Sequence, residues 1–556
     1  MRHLHLTLLS LFVATAAFGQ TNHNFEVSKQ LDIFNSLYTT LEQYYVDTLN
    51  AERCIGDAIN YMLDGMDPYT EYYPEKDTHE LETLTTGKYA GIGAIISYCQ
   101  HHDRCMVREP YANMPAAVAG VHAGDIILKI DGKDIEKKGN QATDTYTSNV
   151  SNALRGNPDT EIMLVVDRPG EGEKTFKFTR AAIQLPAVSY QGMVTDSIGF
   201  IMLRTFTRDC SGEVLQAVKD LKKKGARSII LDLRDNGGGL ANEAVNIVNI
   251  FVPKGKVILQ MKGKTKAANA SYTTTHTPED NTIPVVVLVN GSSASASEIT
   301  CGALQDLDRA VILGERTYGK GLVQQPHSLP YGGLLKLTTS HYYIPSGRCI
   351  QALNYSHRGH DNEAYRTPDS LTHEFHTACG RPVRDGGGIT PDIISKADSL
   401  PNLMAYLQAG TTLIEYIATY RNKHPQIQPA ATFSVTDEDY EEFKKFLAES
   451  DFTYDRQTFK ALQELKKIAR FEGYDQTAAN EIKALEEKLQ HNLADDLDTW
   501  KPYIIQMLNE EICRAYYYQE GAIESVMKHD KTLKDAIGIL RDQKRYKAIL
   551  SNNGKK

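Results

Sequence analysis

Residues 291–324 constrain this chain more than any other stretch. An apolar run at 284–289 leads into Gly291-Ser-Ser-Ala-Ser-Ala-Ser-Glu298, and a helix is expected over 297–307. A second apolar run, 310–314, leads to Glu315-Arg-Thr-Tyr-Gly-Lys320-Gly-Leu-Val-Gln324. Small residues between a strand and a helix put hydroxyls where the helix begins, and a glycine turn after the next strand presents a lysine on the same sheet edge. A serine hydroxyl is a weak nucleophile until a base takes its proton. A lysine becomes that base when desolvation lowers its pKa toward neutrality. A hydrolase is therefore the first expectation.

Three hydroxyls compete for the nucleophile role: Ser293, Ser295 and Ser297. Ser297 and Glu298 look like helix-start residues, with Ser297 as the cap. Spacing alone does not choose between Ser293 and Ser295. Acyl transfer also needs donors where a carbonyl oxygen turns negative. The N–H of Ala296, at the start of the helix, is one candidate. Asp232-Leu-Arg-Asp-Asn-Gly-Gly-Gly-Leu-Ala follows another apolar run, and its glycines free backbone N–H groups to turn toward a ligand. That loop lacks the Lys-Ser/Thr of a phosphate-binding P-loop. No serine is followed three residues later by a lysine in a comparable setting, which argues against the Ser-x-x-Lys arrangement of penicillin-binding enzymes.

Around this unit, residues 186–400 alternate strands (197–203, 228–233, 284–289, 310–314, 334–343) with helices (213–224, 242–251, 297–307), the pattern of an α/β layered core. Residues 353–388 are polar and rich in His, Arg, Asp and Gly, and are expected to form a surface loop. Residues 20–84 carry helical periodicity, with Phe34, Leu37, Tyr38, Leu41 and Tyr44 on one face. Residues 401–556 repeat that periodicity through Phe443, Phe446 and Leu447, then Leu462, Leu465 and Ile468, and include the only tryptophan, Trp500. Residues 85–185 switch to short strands and glycine turns. Lys88-Tyr-Ala-Gly-Ile-Gly-Ala-Ile-Ile enters a strand. Met114-Pro-Ala-Ala-Val-Ala-Gly-Val-His-Ala-Gly-Asp125-Ile-Ile-Leu-Lys-Ile-Asp-Gly supplies a short helix, a buried strand and a turn, before a helix at 145–155 and a strand at 161–167. This order resembles a PDZ domain. The resemblance implies capture of a C-terminal peptide by strand addition, with Ala90, Gly91, Ile92 and Gly93 as the carboxylate loop.

The first residues place Arg2 and two histidines before an apolar run ending in Ala-Ala-Phe-Gly-Gln. This reads as a secretory signal peptide over residues 1–19. No cysteine marks a lipoprotein site, and no later run reaches the length of a membrane span. With a net charge of −9, the chain has no general affinity for nucleic acid or anionic membranes. Eight cysteines are scattered along it, with Cys99–Cys105 and Cys349–Cys379 as conceivable pairs in an exported protein. His357, His360 and Asp361 lie in a polar loop without a metalloprotease pattern, and His101 and His102 read as solvated, so neither a metal nor a cofactor is expected.

The paired motifs resemble those of the C-terminal processing peptidases, the tail-specific Ser/Lys proteases of family S41, over roughly residues 30–400. The resemblance implies that Ser295, the middle serine of Ser-Ala-Ser-Ala-Ser, is the nucleophile. It makes Lys320, 25 residues later, the base, and Gln324 the residue that orients the lysine (Gln325 is its neighbour). The glycine loop then supplies the second oxyanion donor, Gly239 before Gly238, alongside Ala296, and Asp306 supports the site. Arg168 is nominated as the PDZ residue that contacts the core when substrate aligns the domain. The implied architecture is multidomain α+β: a PDZ domain ahead of a ClpP/crotonase-like α/β protease core, flanked by helical regions. The implied protein is a periplasmic endopeptidase acting on proteins with free C-termini, a homo-oligomer through its helical regions, with an adaptor protein as a conceivable partner. Its rivals are a non-catalytic PDZ scaffold and a latent protease that a partner activates. Cys301 is read as buried packing.

Overall fold

The computed structural model describes residues 2–75, 85–358, 364–396, 400–489 and 493–551. Two units are distinguished, residues Met1–Pro74 with Pro326–Leu337, and the remainder. The first unit holds the helices Arg2–Tyr44 and Ala51–Asp64. Asn50 caps the second, its side chain accepting from the Arg53 N–H at 2.9 Å. The strand Glu71–Tyr73 runs antiparallel to residues 334–336, where Lys336 meets Glu71 at 2.6 Å. The side chains of the expected signal segment lie outside the described residues.

The second unit is built around a sheet ordered Val188–Thr195, Ile198–Leu203, Ser228–Asp232, Val285–Val289, Val311–Gly314 and Ile393–Ile394. The first pair is antiparallel and every later pair parallel. The central strands are buried along their whole length, so they read as continuous apolar runs. The helices Cys210–Lys223, Ala241–Phe251 and Ala296–Asp306 cover one face in a single core with Phe206, Val248, Ile299 and Leu304. The helix Lys531–Arg541 covers the other, inserting Leu533, Ala536 and Ile539 against Phe200, Ile230 and Leu288. A chain segment about 240 to 340 positions beyond those strands therefore completes the layer, which apolar periodicity in the tail could not reveal.

Ahead of this core, the strands Ala94–Cys99, Arg104–Pro110, Ile126–Ile130, Glu161–Arg168 and Gly172–Thr179 form a mixed-length antiparallel sheet. The helix Thr143–Leu154 closes it with Tyr146, Val150 and Leu154. This is the element order expected of the PDZ-like segment. Cys99 and Cys105 lie on opposite faces of it, one toward Ile414 and the other in the domain core, so the hairpin pairing does not form. All eight cysteines are free thiols. The polar stretch expected as a loop instead contains two small hairpins, Leu353–Arg358 with Ala364–Arg366 and Glu374–His376 with Pro382–Arg384. Their local pairing needs little apolar periodicity. His360 and Asp361 lie outside the described residues, as does the side chain of His357.

The tail is helical, with Leu403, Tyr416, Tyr440, Phe443, Leu447, Leu508 and Ile512 in one core. Leu462 is buried as its spacing predicts, but Leu465 and Ile468 are nearly half exposed. Among the described residues no helix is long and apolar enough to cross a membrane.

The outer face of the PDZ-like sheet rests on the helix Thr412–Lys423. Gly124, at φ +91°, lets the two meet: a Cβ there would stand 2.6 Å from the Ala418 Cβ. Both the backbone conformation and the space favour glycine. Gly124→Ala is expected to loosen this contact while leaving both domains folded. Hydrogen exchange should rise in residues 412–423 and in the strand Arg104–Pro110, and unchanged exchange in both would count against it.

Candidate active site

The site begins with a strained turn. The strand Val285–Val289 ends, the chain folds through Asn290–Ala294, and Ser295 sits at φ 54°, ψ −112° immediately before the helix Ala296–Asp306. A non-glycine residue with positive φ between a strand and a helix is held there by its surroundings. Such a turn lifts a side chain off the end of the sheet. Ser295 is the cap position of the helix, and Ser297, expected as the cap, is already inside it. The correction has a physical reason. The Ser297 hydroxyl donates to the Asn236 carbonyl at 2.8 Å and is fully buried. Ser293 is likewise buried, donating to the Leu233 carbonyl at 2.7 Å and accepting from the Asn290 N–H at 3.0 Å. Of the three competing hydroxyls, two anchor the loop and only Ser295 is partly open to solvent.

The lysine loop follows the next strand, Val311–Gly314, and is joined to this turn through one side chain. Glu298, fully buried, accepts from the Ser295 N–H and the Lys320 N–H on the same oxygen, Oε2, each at 2.9 Å. Its other oxygen accepts from the Gly319 N–H at 2.8 Å and the Thr317 hydroxyl at 2.5 Å. A further backbone bond runs from the Tyr318 N–H to the Ser293 carbonyl at 3.1 Å. Ser295 and Lys320 are thus brought together through their backbones. Gln324 lies four residues on, in the strand Leu322–Ser328, and its amide nitrogen donates to the Thr338 hydroxyl at 3.0 Å.

The glycine loop closes the site from the adjoining strand end. A Cβ on Gly238, at φ +100°, would fall 2.8 Å from the Ser295 Cβ and 2.9 Å from the Ala296 nitrogen. Only glycine admits this approach. The Gly238 N–H donates to the Asn236 side chain at 2.9 Å, so it is already engaged. Neither the Gly239 N–H nor the Ala296 N–H has an acceptor among the described residues. Gly239, at φ +144°, is fixed by the bonds on either side of it, Phe206 N–H to the Gly238 carbonyl and Leu240 N–H to the Phe206 carbonyl.

Asp306 stands at the far end of the helix that Ser295 begins. It pairs with the buried Arg348 at 2.7 Å and accepts from the Ser346 N–H at 2.9 Å, so it anchors the helix end and not the reacting groups. Ala90 and Gly91 pair with the strand Ala181–Gln184. The carbonyls of Ile92 and Gly93 accept from Ala116 and Tyr111, while their N–H groups have no acceptor among the described residues. Arg168 does not reach the core in this structure. Its guanidinium grips Asp125 at 2.7 and 2.8 Å, donates to the Gly120 carbonyl and lies over the Phe176 ring, because a buried carboxylate beside it is the stronger partner.

Two residues escaped the reading of the sequence. Glu298 was seen only as a helix-start residue, although Ser295-x-x-Glu298 is the spacing of a reciprocal cap. Asn236, fully buried, reaches from the Leu203 carbonyl at 2.8 Å to the Gly238 N–H, and its own carbonyl accepts from Ala294 and Ser297. No local pattern marks that residue, since its partners come from three strands' ends.

Burial pushes the Glu298 carboxyl up to about 7, while hydrogen bonds from Thr317, Lys320, Ser295 and Gly319 pull it down. Its ordinary value is 4.5. Between these values the folded state keeps a proton that the unfolded chain has released, so this group's contribution to stability declines as pH rises from about 4.5 to about 7 and is flat above. The expected decline is on the order of 3 kcal/mol. Glu298→Gln should remove that part of the slope, measured as the urea-unfolding free energy of parent and variant at pH 4.5 and 7.5. An identical slope in both would contradict the assignment.

Three segments of the chain match known protein families. Residues 197–355 match peptidase family S41, residues 106–168 match a PDZ domain, and residues 403–540 match the C-terminal helical domain of probable PDZ-proteases. A carboxy-terminal-processing protease of Bartonella bacilliformis (strain ATCC 35685 / KC583 / Herrer 020/F12,63) is 35% identical over 339 residues, 60% of this chain and 75% of that protein. A probable CtpA-like serine protease of Staphylococcus aureus (strain MRSA252) is 36% identical over 323 residues, 58% of this chain and 62% of the relative, so the chain spans just under two thirds of its length. Among solved structures, a photosystem II D1 C-terminal processing protease aligns with 60% of this chain and 85% of its own, at 28% identity and a TM-score of 0.34.

Proposed function

Because the chain belongs to peptidase family S41, among the carboxy-terminal-processing proteases, we propose that it is an exported serine endopeptidase that cleaves proteins presented by their C-terminal tails. The observation that carries this reading is the shared Glu298 oxygen, which holds the Ser295 and Lys320 backbones to one point beside two open N–H groups. In the reaction Ser295 Oγ attacks the scissile carbonyl and Lys320, neutral, takes its proton. The carbonyl oxygen, now negative, accepts from the Ala296 and Gly239 N–H groups. Lys320 then gives the proton to the leaving amine, and water attacks the acyl-enzyme by the reverse path. Gln324 orients the lysine through its side-chain carbonyl without adding a charge that would raise the lysine's pKa.

The PDZ domain supplies substrate. Ala94–Cys99 is the edge strand of its sheet, so an extended peptide adds there beside the helix Thr143–Leu154. The N–H groups of Ile92 and Gly93 receive the terminal carboxylate. The segment 1–19 directs the chain out of the cytoplasm, with the periplasm as its destination. The helical regions join copies of the chain and offer an adaptor its docking surface.

The test is incubation of the mature protein with an unstructured protein bearing an apolar C-terminal tail, followed by mass spectrometry. The parent should cleave, and Ser295→Ala and Lys320→Ala should each lower the rate by about 10³-fold or more. Cleavage that survives both substitutions would move the nucleophile elsewhere. A parent that binds the tail without cutting it would favour a scaffold.

A further inference from the structure

At the contact between the PDZ domain and the helical tail, three metal-binding side chains converge, and a fourth, His101, lies against one of them. Cys99 ends the strand Ala94–Cys99, and His101 and His102 form the turn that follows. Glu415 belongs to the helix Thr412–Lys423. The Cys99 Sγ lies 3.1 Å from the Glu415 Oε1, across 316 positions of sequence. The donor atoms of Cys99, His102 and Glu415 all fall within 4.8 Å of one another. The His101 Nδ1 stands 3.3 Å from the Glu415 Oε2, and the Thr411 hydroxyl reaches the Cys99 Sγ at 3.4 Å.

We propose that Cys99, His102 and Glu415, with His101 as the fourth donor, bind one zinc-like divalent transition-metal ion that fastens the PDZ domain to the helical tail. The ligand set decides the class of ion. Sulfur with imidazole and one carboxylate suits zinc and its neighbours, whereas magnesium and calcium take oxygen donors. The spacing also fits. A tetrahedral zinc ion with Zn–S about 2.3 Å and Zn–O about 2.1 Å separates those donors by roughly 3.6 Å, so a small side-chain adjustment closes the site. Charge fits as well: one thiolate and one carboxylate neutralise a divalent ion, and the thiol proton leaves to solvent on binding. Cys99 is fully buried and Glu415 mostly so, while His102 is exposed, which leaves the ion an entry path from the surface.

The consequence is control over the domain that presents substrate. The same face is held by Arg108 donating to the Gln408 carbonyl at 2.7 Å and by the Gly124–Ala418 approach. A bound ion adds a coordinate link between the hairpin and the helix, and withdrawing it releases the hairpin. This inference does not depend on the catalytic reading, since its readout is the ion.

The experiment uses the full-length protein, freed of any affinity tag and stripped with a chelator, and titrates it with Co²⁺ and then Zn²⁺. One Co²⁺ per chain should bind with near-ultraviolet thiolate-to-cobalt absorption, and one equivalent of Zn²⁺ should displace it. His102→Ala, an exposed position whose loss does not disturb the fold, and Glu415→Gln should each weaken Zn²⁺ about tenfold or more. Cys99→Ser should remove the thiolate band. Hydrogen exchange should slow on Zn²⁺ addition in both the 99–106 hairpin and residues 411–415. No binding, binding without a thiolate band, or unchanged affinity in both the His102 and Glu415 variants overturns the site. Protection confined to one of the two segments overturns the link.

Discussion

The Ser295 turn and the lysine loop are both arranged around the buried carboxyl group of Glu298. Backbone N–H groups of the Ser295 turn and of the lysine loop converge on it, two of them on one oxygen. Such a carboxylate costs several kcal/mol to bury alone, and four donors offset part of that cost while burial still holds the carboxyl up at about 7. The exchange is reciprocal. Those N–H groups would otherwise be orphans, one at a helix start and two in a glycine turn where no ladder could take them. A glutamine of the same shape offers one acceptor oxygen where the carboxyl group offers two, so the loops depend on its oxygens and not only on its volume. Tyr342, buried beneath the turn, adds a hydroxyl bond to the Ser295 carbonyl at 3.3 Å. The positive φ of Ser295 is sustained by this ring of bonds, which hold the residue from both its N–H and its carbonyl.

The glycine loop is held from a different direction. Asn236 fixes its start to the end of the neighbouring strand, and Arg234 extends away from the site. The Arg234 guanidinium pairs with Asp232 and with Asp530, each at 2.6 Å. Asp530 caps the helix Lys531–Arg541, accepting from the Leu533 N–H at 2.9 Å. The loop that offers the Gly239 N–H is therefore tied to the helix that covers the back of the sheet. A partly buried arginine shared by two carboxylates is a directional link, since moving either partner leaves a charge less well compensated. The C-terminal helical segment thus belongs to the protease core as much as to the tail that precedes it.

Much of this was legible because the relevant signals are local. Buried parallel strands announce themselves as apolar runs of five or so residues, and the helices between them by their capping and periodicity, so the α/β layer and the order of the PDZ strands followed from the sequence. The glycines at 238 and 239 were legible for the same reason: consecutive glycines after a strand imply a backbone that must turn closely. What stayed hidden is whatever two distant segments decide together. The choice among Ser293, Ser295 and Ser297 depends on which hydroxyls the Leu233 and Asn236 carbonyls claim, and those carbonyls lie about sixty residues away. Arg168 looked available for the core because nothing in its neighbourhood shows that Asp125, 43 residues earlier, holds it in a bidentate grip. His101 and His102 are exposed as expected, and what stayed hidden is that Glu415, on a helix more than three hundred residues downstream, lies beside them.

The contacts between the PDZ domain and the tail have a character that bears on how the domain works. They combine a small buried cluster of Cys99, Met106 and Ile126 around Ile414 with a glycine against an alanine, the Glu415 contacts to Cys99 and His101, single side-chain-to-carbonyl bonds from Arg108 and from Asn422 to Pro169, and Glu109 facing Arg514 at 3.6 Å. Burial pushes the Glu109 carboxyl up, with the nearby Arg514 charge opposing that rise, so this pair is poorly compensated. An interface of this composition resembles the polar, modest contacts between domains that move relative to one another. It contrasts with the dense apolar packing of the helix Lys531–Arg541 on the sheet, which admits no sliding. The rigid part of the molecule is the layer that aligns Ser295, Lys320 and the open N–H groups. The lighter contact is the one between the PDZ domain and the tail, and the proposed ion site of Cys99, His102 and Glu415 lies at that joint.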